Sequence, residues 1–151
     1  MKRIMFAAAA LASLAGAAVY AQTPAAAAKP TAISVIRDVG CGCCLNWVDH
    51  LRKAGFTAIV RESSQRFTET RGVPQALRSC HTGIVGGYMI EGHVPAADIQ
   101  RLLKERPPIA GLAVAGMPMG SPGMEQGGRR DPYQVIAFDK AGKTSVYSSH
   151  K

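Results

Sequence analysis

Three of the four cysteines in this chain fall within four residues, Cys41-Gly42-Cys43-Cys44. That crowding constrains the fold more than any other feature. The run before it, residues 32–39, carries Ile33, Val35 and Ile36 and reads as a buried strand. The run after it, residues 45–54, places Leu45, Val48 and Leu51 at three-residue spacing and reads as a helix with one inward face. The thiols therefore sit on a tight strand-to-helix turn, at a helix N-terminus. Unpaired backbone N–H groups and the helix dipole favour negative charge there. A thiol in that position loses its proton more easily, and the thiolate is both the nucleophile and the metal ligand.

The rest of the chain supplies a frame for that turn. Gly55 stops the helix, and residues 56–61 read as a second strand, parallel to the first through a right-handed crossover. Residues 63–70 suggest a short helix ended by Gly72, and residues 74–80 a further helical turn. Gly86-Gly87 between two apolar runs, 82–85 and 88–93, is a hairpin signal. Pro95 opens a helix over 96–106 with Ile99, Leu102 and Leu103 inward, and Pro107-Pro108 ends it. The order β-α-β-α-β-β-α predicts an α/β, thioredoxin-like fold, a mixed central sheet flanked by helices. Residues 107–132 are rich in Gly, Pro and Met, and no regular element fits them; a long loop of this kind inside a compact domain is usually functional. An extra C-terminal β-hairpin follows, from residues 133–139 and 143–148.

The ends read as an address and a tether. In residues 1–21, Lys2 and Arg3 precede an apolar run of roughly 16 residues, and Val19-Tyr20-Ala21 presents small residues where a signal peptidase reads. That run is shorter than the ~20 residues of a membrane-spanning helix, and no cysteine stands at the cleavage point. We expect a cleaved signal peptide, a periplasmic destination and no stable membrane association afterwards. Residues 22–30 read as a flexible tether, and residues 31–151 as one domain, long enough to bury a core without disulfide staples. The net charge of +8 falls to about +6 when Lys2 and Arg3 are removed. No Lys/Arg stripe interleaves with aromatics, so nucleic-acid binding is not expected.

Cys41 and Cys44 stand at C-x-x-C spacing, which on a strand-helix turn is a redox signature. Cys43 and Cys80 raise the count to four sulfurs, more than a redox pair needs, if the start of the Gly-Gly hairpin approaches the first helix. Thiolate and thioether ligands select Cu(I), Zn or Fe–S clusters. Structural zinc usually draws on two separated ligand pairs, and export disfavours an Fe–S cluster. Copper, as Cu(I), ranks first, ahead of pure thiol redox chemistry and of zinc or ordinary disulfides. Met117, Met119 and Met124 read equally as extra ligands or as a hydrophobic lid. His81, beside Cys80, is a weaker candidate, with His93 as another ligand or supporting donor. His50 reads as a surface residue, His150 as part of a frayed end, and Trp47 as a core or surface residue that packs over the sulfurs only as a minor alternative.

Cys41-Gly42-Cys43-Cys44, Cys80-His81-Thr82, Gly86-Gly87-Tyr88, Ile90-Glu91-Gly92-His93-Val94-Pro95 and the Met/Pro loop over 116–124 together carry a resemblance. The chain resembles the CopG-type periplasmic copper-resistance proteins, long filed as a domain of unknown function. The resemblance implies a thioredoxin-like fold whose Cys41, Cys43, Cys44 and Cys80 hold a thiolate-bridged Cu(I) cluster. It also implies a role in copper tolerance or trafficking, with turnover between Cu(I) and Cu(II) and with other periplasmic copper-handling proteins as partners. The alternative is a thiol-disulfide oxidoreductase acting through Cys41 and Cys44.

Overall fold

The computed structural model describes residues 30–151. The expected signal, 1–21, and the tether up to residue 29 lie outside the described residues. Seven strands form one mixed sheet in the order β2-β1-β3-β4-β5-β6-β7. Strand β1 (Thr31–Arg37) lies inside it, parallel to β2 (Phe56–Glu62) and antiparallel to β3 (His81–Val85). Its alternation explains the placement: Ile33 and Val35 share one face, and both are fully buried.

Helix α1 (Gly42–Lys53) returns the chain from β1 to β2. It begins at Gly42, three residues before the predicted start, and its buried face is Cys44, Trp47, Val48 and Leu51. That is i, i+3, i+4, i+7 spacing once Cys44 is counted as apolar. Leu45, expected inward, is 43% exposed. A short helix α2 (Arg66–Glu69) and a single 3-10 turn at Gln75–Leu77 lead to β3. Strand β4 (Tyr88–Glu91) pairs antiparallel with β3 across Gly86-Gly87, both at positive φ. Helix α3 (Ala96–Glu105) buries Ile99 and Leu102, while Leu103 is only half-buried.

The stretch 107–132, expected from its composition to hold no regular element, is not wholly irregular. Gly111–Ala113 forms β5, parallel to β4 and antiparallel to β6 (Tyr133–Phe138). Gly111 is required there: a Cβ would lie 2.0 Å from the Met89 carbonyl oxygen and 2.7 Å from the Phe138 ring. Strand β7 (Thr144–His150) pairs antiparallel with β6, so β5 joins the last two strands to the sheet.

The main core lies where α1 and α3 meet the sheet, with Ile33, Val35, Trp47, Leu51, Ile90, Ile99, Leu102 and Leu112 in contact. Among the described residues no helix is long and apolar enough to cross a membrane.

Candidate metal centre

Register brings Cys80 to the cysteine turn. Arg37 of β1 faces His81 of β3, so the residue before His81 lies beside the residue after Arg37. The Asp38 N–H donates to the Cys80 carbonyl at 2.9 Å. Arg37 donates to the carbonyl of Cys41, the N-cap of α1, at 3.0 Å. The ends of β1, α1 and β3 are thus tied at one corner, and the four sulfurs lie within 4.8 Å of one another.

Within that cluster, Cys41 and Cys44 are joined as a disulfide, their Cα atoms 5.5 Å apart, and Cys43 and Cys80 are free thiols. Of the two ordinary bridges considered from the sequence, only one is formed. Cys43 Sγ lies 3.5 Å from Cys41 Sγ, and Cys80 Sγ lies 3.3 Å from Cys44 Sγ across 36 residues of sequence. Because the bonded sulfurs carry no hydrogen, Cys43 and Cys80 are the donors in these contacts. Cys80 stands apart from the helix N-terminus, at the mouth of β3. Burial pushes its thiol up to about 11, and the neighbouring Cys43 adds to the rise.

A polar clamp that the sequence did not disclose holds Cys80 in place. Arg66 and Glu91 are buried at 1% and 0% exposure and pair at 3.1 Å. Glu91 accepts the Ser79 N–H at 2.6 Å and the Thr82 hydroxyl. Arg66 donates to the Ser79 carbonyl, to Thr82 Oγ1 at 2.9 Å and to Asp38 at 3.0 Å. Every group faces a partner, as a buried ion pair requires. The only hint in the sequence was one carboxylate, Glu91, at the end of an apolar strand.

Two histidines continue the site inward. His81 is fully buried; its Nδ1 lies 3.6 Å from Cys80 Sγ, and its ring packs against Trp47 at 4.4 Å between centroids. His93, also fully buried, meets His81 edge-on at 4.9 Å. Burial first, and then His93, depress the His81 pKa to about 3; burial also lowers that of His93. Both rings are neutral at ordinary pH, with lone pairs free to bind a cation. Trp47 is fully buried beneath this group, its indole N–H donating to the Val94 carbonyl at 2.9 Å.

The Met/Pro loop seats on the same corner. Gly120 and Ser121 to Met124 close tight turns, with the Gly120 N–H on the Met124 carbonyl at 2.9 Å and the Met124 N–H on Ser121 at 2.8 Å. Gly123, at φ +86°, lies so close to α1 that a Cβ would meet the Trp47 nitrogen at 2.7 Å. The Pro122 carbonyl takes the His93 Nδ1 at 2.8 Å. Met117 is 55% exposed, and Met119 and Met124 are half-buried. His50 and His150 are both placed differently from expectation. His50 is half-buried and accepts the Ala96 N–H at 3.0 Å; His150 ends β7 and meets Asp98 at 2.8 Å.

Comparison with known proteins follows the same residues. A family described as "Protein of unknown function, DUF411" matches residues 77–124, which span Cys80, both buried histidines and the Met/Pro loop. Two solved chains, "Copper resistance protein copG", Form 1 and Form 2, are similar over the whole domain. Each is 46% identical with a TM-score of 0.76; they cover 80% and 81% of this chain and 98% and 99% of their own. No curated protein matches the sequence.

Proposed function

The chain belongs to the copper resistance protein CopG family, and from that premise we propose that it binds copper, as Cu(I), through the thiolates of Cys41, Cys43, Cys44 and Cys80. One observation carries this reading: four sulfurs from two separate segments lie within 4.8 Å of one another. Soft thiolates favour Cu(I), and bridging sulfurs let crowded ligands share several ions. The strand order around β1 is read as thioredoxin-like, with β6 and β7 as an added C-terminal hairpin. The expected leader places the protein in the periplasm, where it serves copper tolerance or trafficking beside other copper-handling proteins.

The disulfide supplies a redox partner for the metal. Closing Cys41–Cys44 from two thiolates releases two electrons, enough to reduce two Cu(II) to two Cu(I). In reverse, oxidation of two Cu(I) to two Cu(II) returns the two electrons, reopens the bond and restores two thiolate ligands. Metal load and thiol state are coupled in this way. The Met/Pro loop covers the corner, and Met117, Met119 and Met124 remain candidates for thioether contact with copper leaving or entering.

The test is an anaerobic titration of the reduced protein with Cu(I) against a competing chelator. Several Cu(I) per chain with a sulfur shell by X-ray absorption are expected. Binding no tighter than that of a variant with all four cysteines replaced by serine overturns the reading. The bonded state of Cys41 and Cys44 favours a second reading, thiol-disulfide exchange with protein partners. Insulin-disulfide reduction by the metal-free protein, surviving Cys43→Ala and Cys80→Ala, would establish it.

A further inference from the structure

The segment leading into β3 carries more guanidinium than its neighbouring carboxylates absorb. Those carboxylates are all taken: Glu62 pairs with Arg37, Glu69 with Arg61, and Asp38 and Glu91 with Arg66. Among the described residues, Arg71 and Arg78 make no ion pair. Arg71 is exposed, and its Nε donates to the Thr68 carbonyl at 3.0 Å. Arg78 is half-buried, and its Nε is enclosed without a hydrogen-bond partner. Phe67 of α2 stands with them, 42% exposed although large and apolar. The guanidinium carbon of Arg66 lies 4.1 Å from the centre of its ring, and that of Arg78 5.0 Å. A guanidinium stacked on an aromatic face still presents a planar fork of N–H donors along its edge. Arg78 is therefore held in place by the ring while its charge is left unanswered.

We propose that Phe67, Arg71 and Arg78 form a docking surface for an acidic segment of a second protein, with carboxylates on the two guanidiniums and an apolar side chain on the Phe67 ring. Arginine and aromatic side chains dominate the energetics of such contacts, and a guanidinium takes a carboxylate through two parallel hydrogen bonds. The occupant is a discrete acidic segment and not a continuous polyanion, because carboxylates border the patch. The side chains of Asp38 and Glu62 remain 43% exposed and that of Glu69 30%. They repel the unbroken charge of a nucleic acid or an anionic membrane, whereas a protein partner can set its charges between them. Position adds to composition. Arg78 stands two residues before Cys80, and Arg66, which lies over the Phe67 ring, also donates to the Ser79 carbonyl. A partner seated on this patch lies beside the four-sulfur corner. Its use, as the berth of a protein that gives or takes copper, rests on the copper reading; the docking itself does not.

The test titrates metal-free protein, labelled with nitrogen-15, with a synthetic peptide in which glutamates flank a single phenylalanine, and follows the amide shifts by NMR. A peptide with glutamine at every glutamate is the control. Shifts gathered over residues 66–80, weakening as salt is raised, are expected with the first peptide and not with the second. Arg78→Gln should weaken binding about tenfold, the loss of one hydrogen bond between charged groups. Arg71→Gln, at an exposed position outside the core, should weaken it about threefold. Lys140→Gln, in the exposed β6–β7 turn, should leave it unchanged. An equal loss from Lys140→Gln, or shifts spread over the other basic residues, would reveal attraction by net charge alone and overturn the surface. Binding to phosphatidylglycerol vesicles that Arg78→Gln abolishes, with none to the peptide, would overturn the protein partner. Because the probe is offered without metal, absent docking leaves the copper reading standing, and a failed copper titration leaves the docking standing.

Discussion

The Arg66 guanidinium and the Glu91 carboxylate, paired at 3.1 Å in the interior, grip the same peptide from two sides. Glu91 takes the Ser79 N–H and Arg66 the Ser79 carbonyl, directly before Cys80. The fourth sulfur is therefore held by a buried ion pair contributed by α2 and β4. Removing one partner leaves an uncompensated buried charge, which costs about 3–5 kcal/mol. We expect Arg66→Met to lower urea stability by that order and to release Cys80 from the cluster. In variant protein that still folds, the Cu(I) load should drop to that of Cys80→Ser. A folded Arg66→Met protein with full copper load would show that Cys80 needs no such clamp.

The buried histidines make stability depend on pH in a definite sense. His81 in the unfolded chain titrates near 6.5, and burial holds it at about 3 in the folded protein; His93 and His50 are lowered in the same direction. Between those values the unfolded state binds more protons, so stability is complete above pH 6.5 and is lost as pH falls towards 3. Glu91, raised above 4.5 chiefly by its burial, acts with the opposite sign above that value. Below 4.5 Glu91 no longer opposes the histidines, and Glu69, lowered by its hydrogen bonds from Arg61 and Ser63, adds to the loss, so the decline should steepen. Denaturant midpoints of the metal-free protein from pH 7.5 to 3.5 measure this. A midpoint that stays flat or rises on acidification would contradict the burial of His81.

How much of this was legible in the sequence depends on where each feature takes its energy. The turn at Cys41 to Cys44 was legible because β1 and α1 have strong local periodicity. The approach of Cys80 was a topological inference, and the register of Arg37 against His81 realises it. Strand β5 was hidden: three residues among glycines and prolines hold a strand only because β4 and β6 offer edges on both sides. Leu45 was misplaced because Cys44 was read for its chemistry and not as an apolar member of the helix face. Arg66 gave no signal, since an arginine in a polar four-residue helix looks solvated until Asp38, just past β1, and partners from β3 and β4 close around it.

The seat of the Met/Pro loop can be tested at Gly123. Its φ is +86°, and an added Cβ would lie 2.7 Å from the Trp47 backbone nitrogen, so there is no room for a side chain. Gly123→Ala should strain the turn by roughly 1–3 kcal/mol and lift Pro122 from His93. Amide exchange should then speed up over residues 118–125 while β1 and β3 stay protected. The rate of copper transfer to a chelator should rise with it. Unchanged exchange over the loop would mean that the turn is held from elsewhere.

The only tryptophan in the chain is placed to report on the site. Trp47 packs tilted against His81, 4.4 Å between centroids, and is anchored by its N–H to the Val94 carbonyl. Copper within contact of His81 should quench its fluorescence, and copper held only by the outer sulfurs should do so less. We expect quenching during an anaerobic Cu(I) titration, absent in the variant with all four cysteines replaced by serine. Trp47→Phe removes the anchor, leaves the Val94 carbonyl without its donor and opens a cavity, at a cost of about 2–4 kcal/mol. In that variant the His81 ring loses its lateral support, so copper affinity should fall even where the fold survives. Emission that is indifferent to copper, in protein shown by direct analysis to be loaded, would place the metal away from His81.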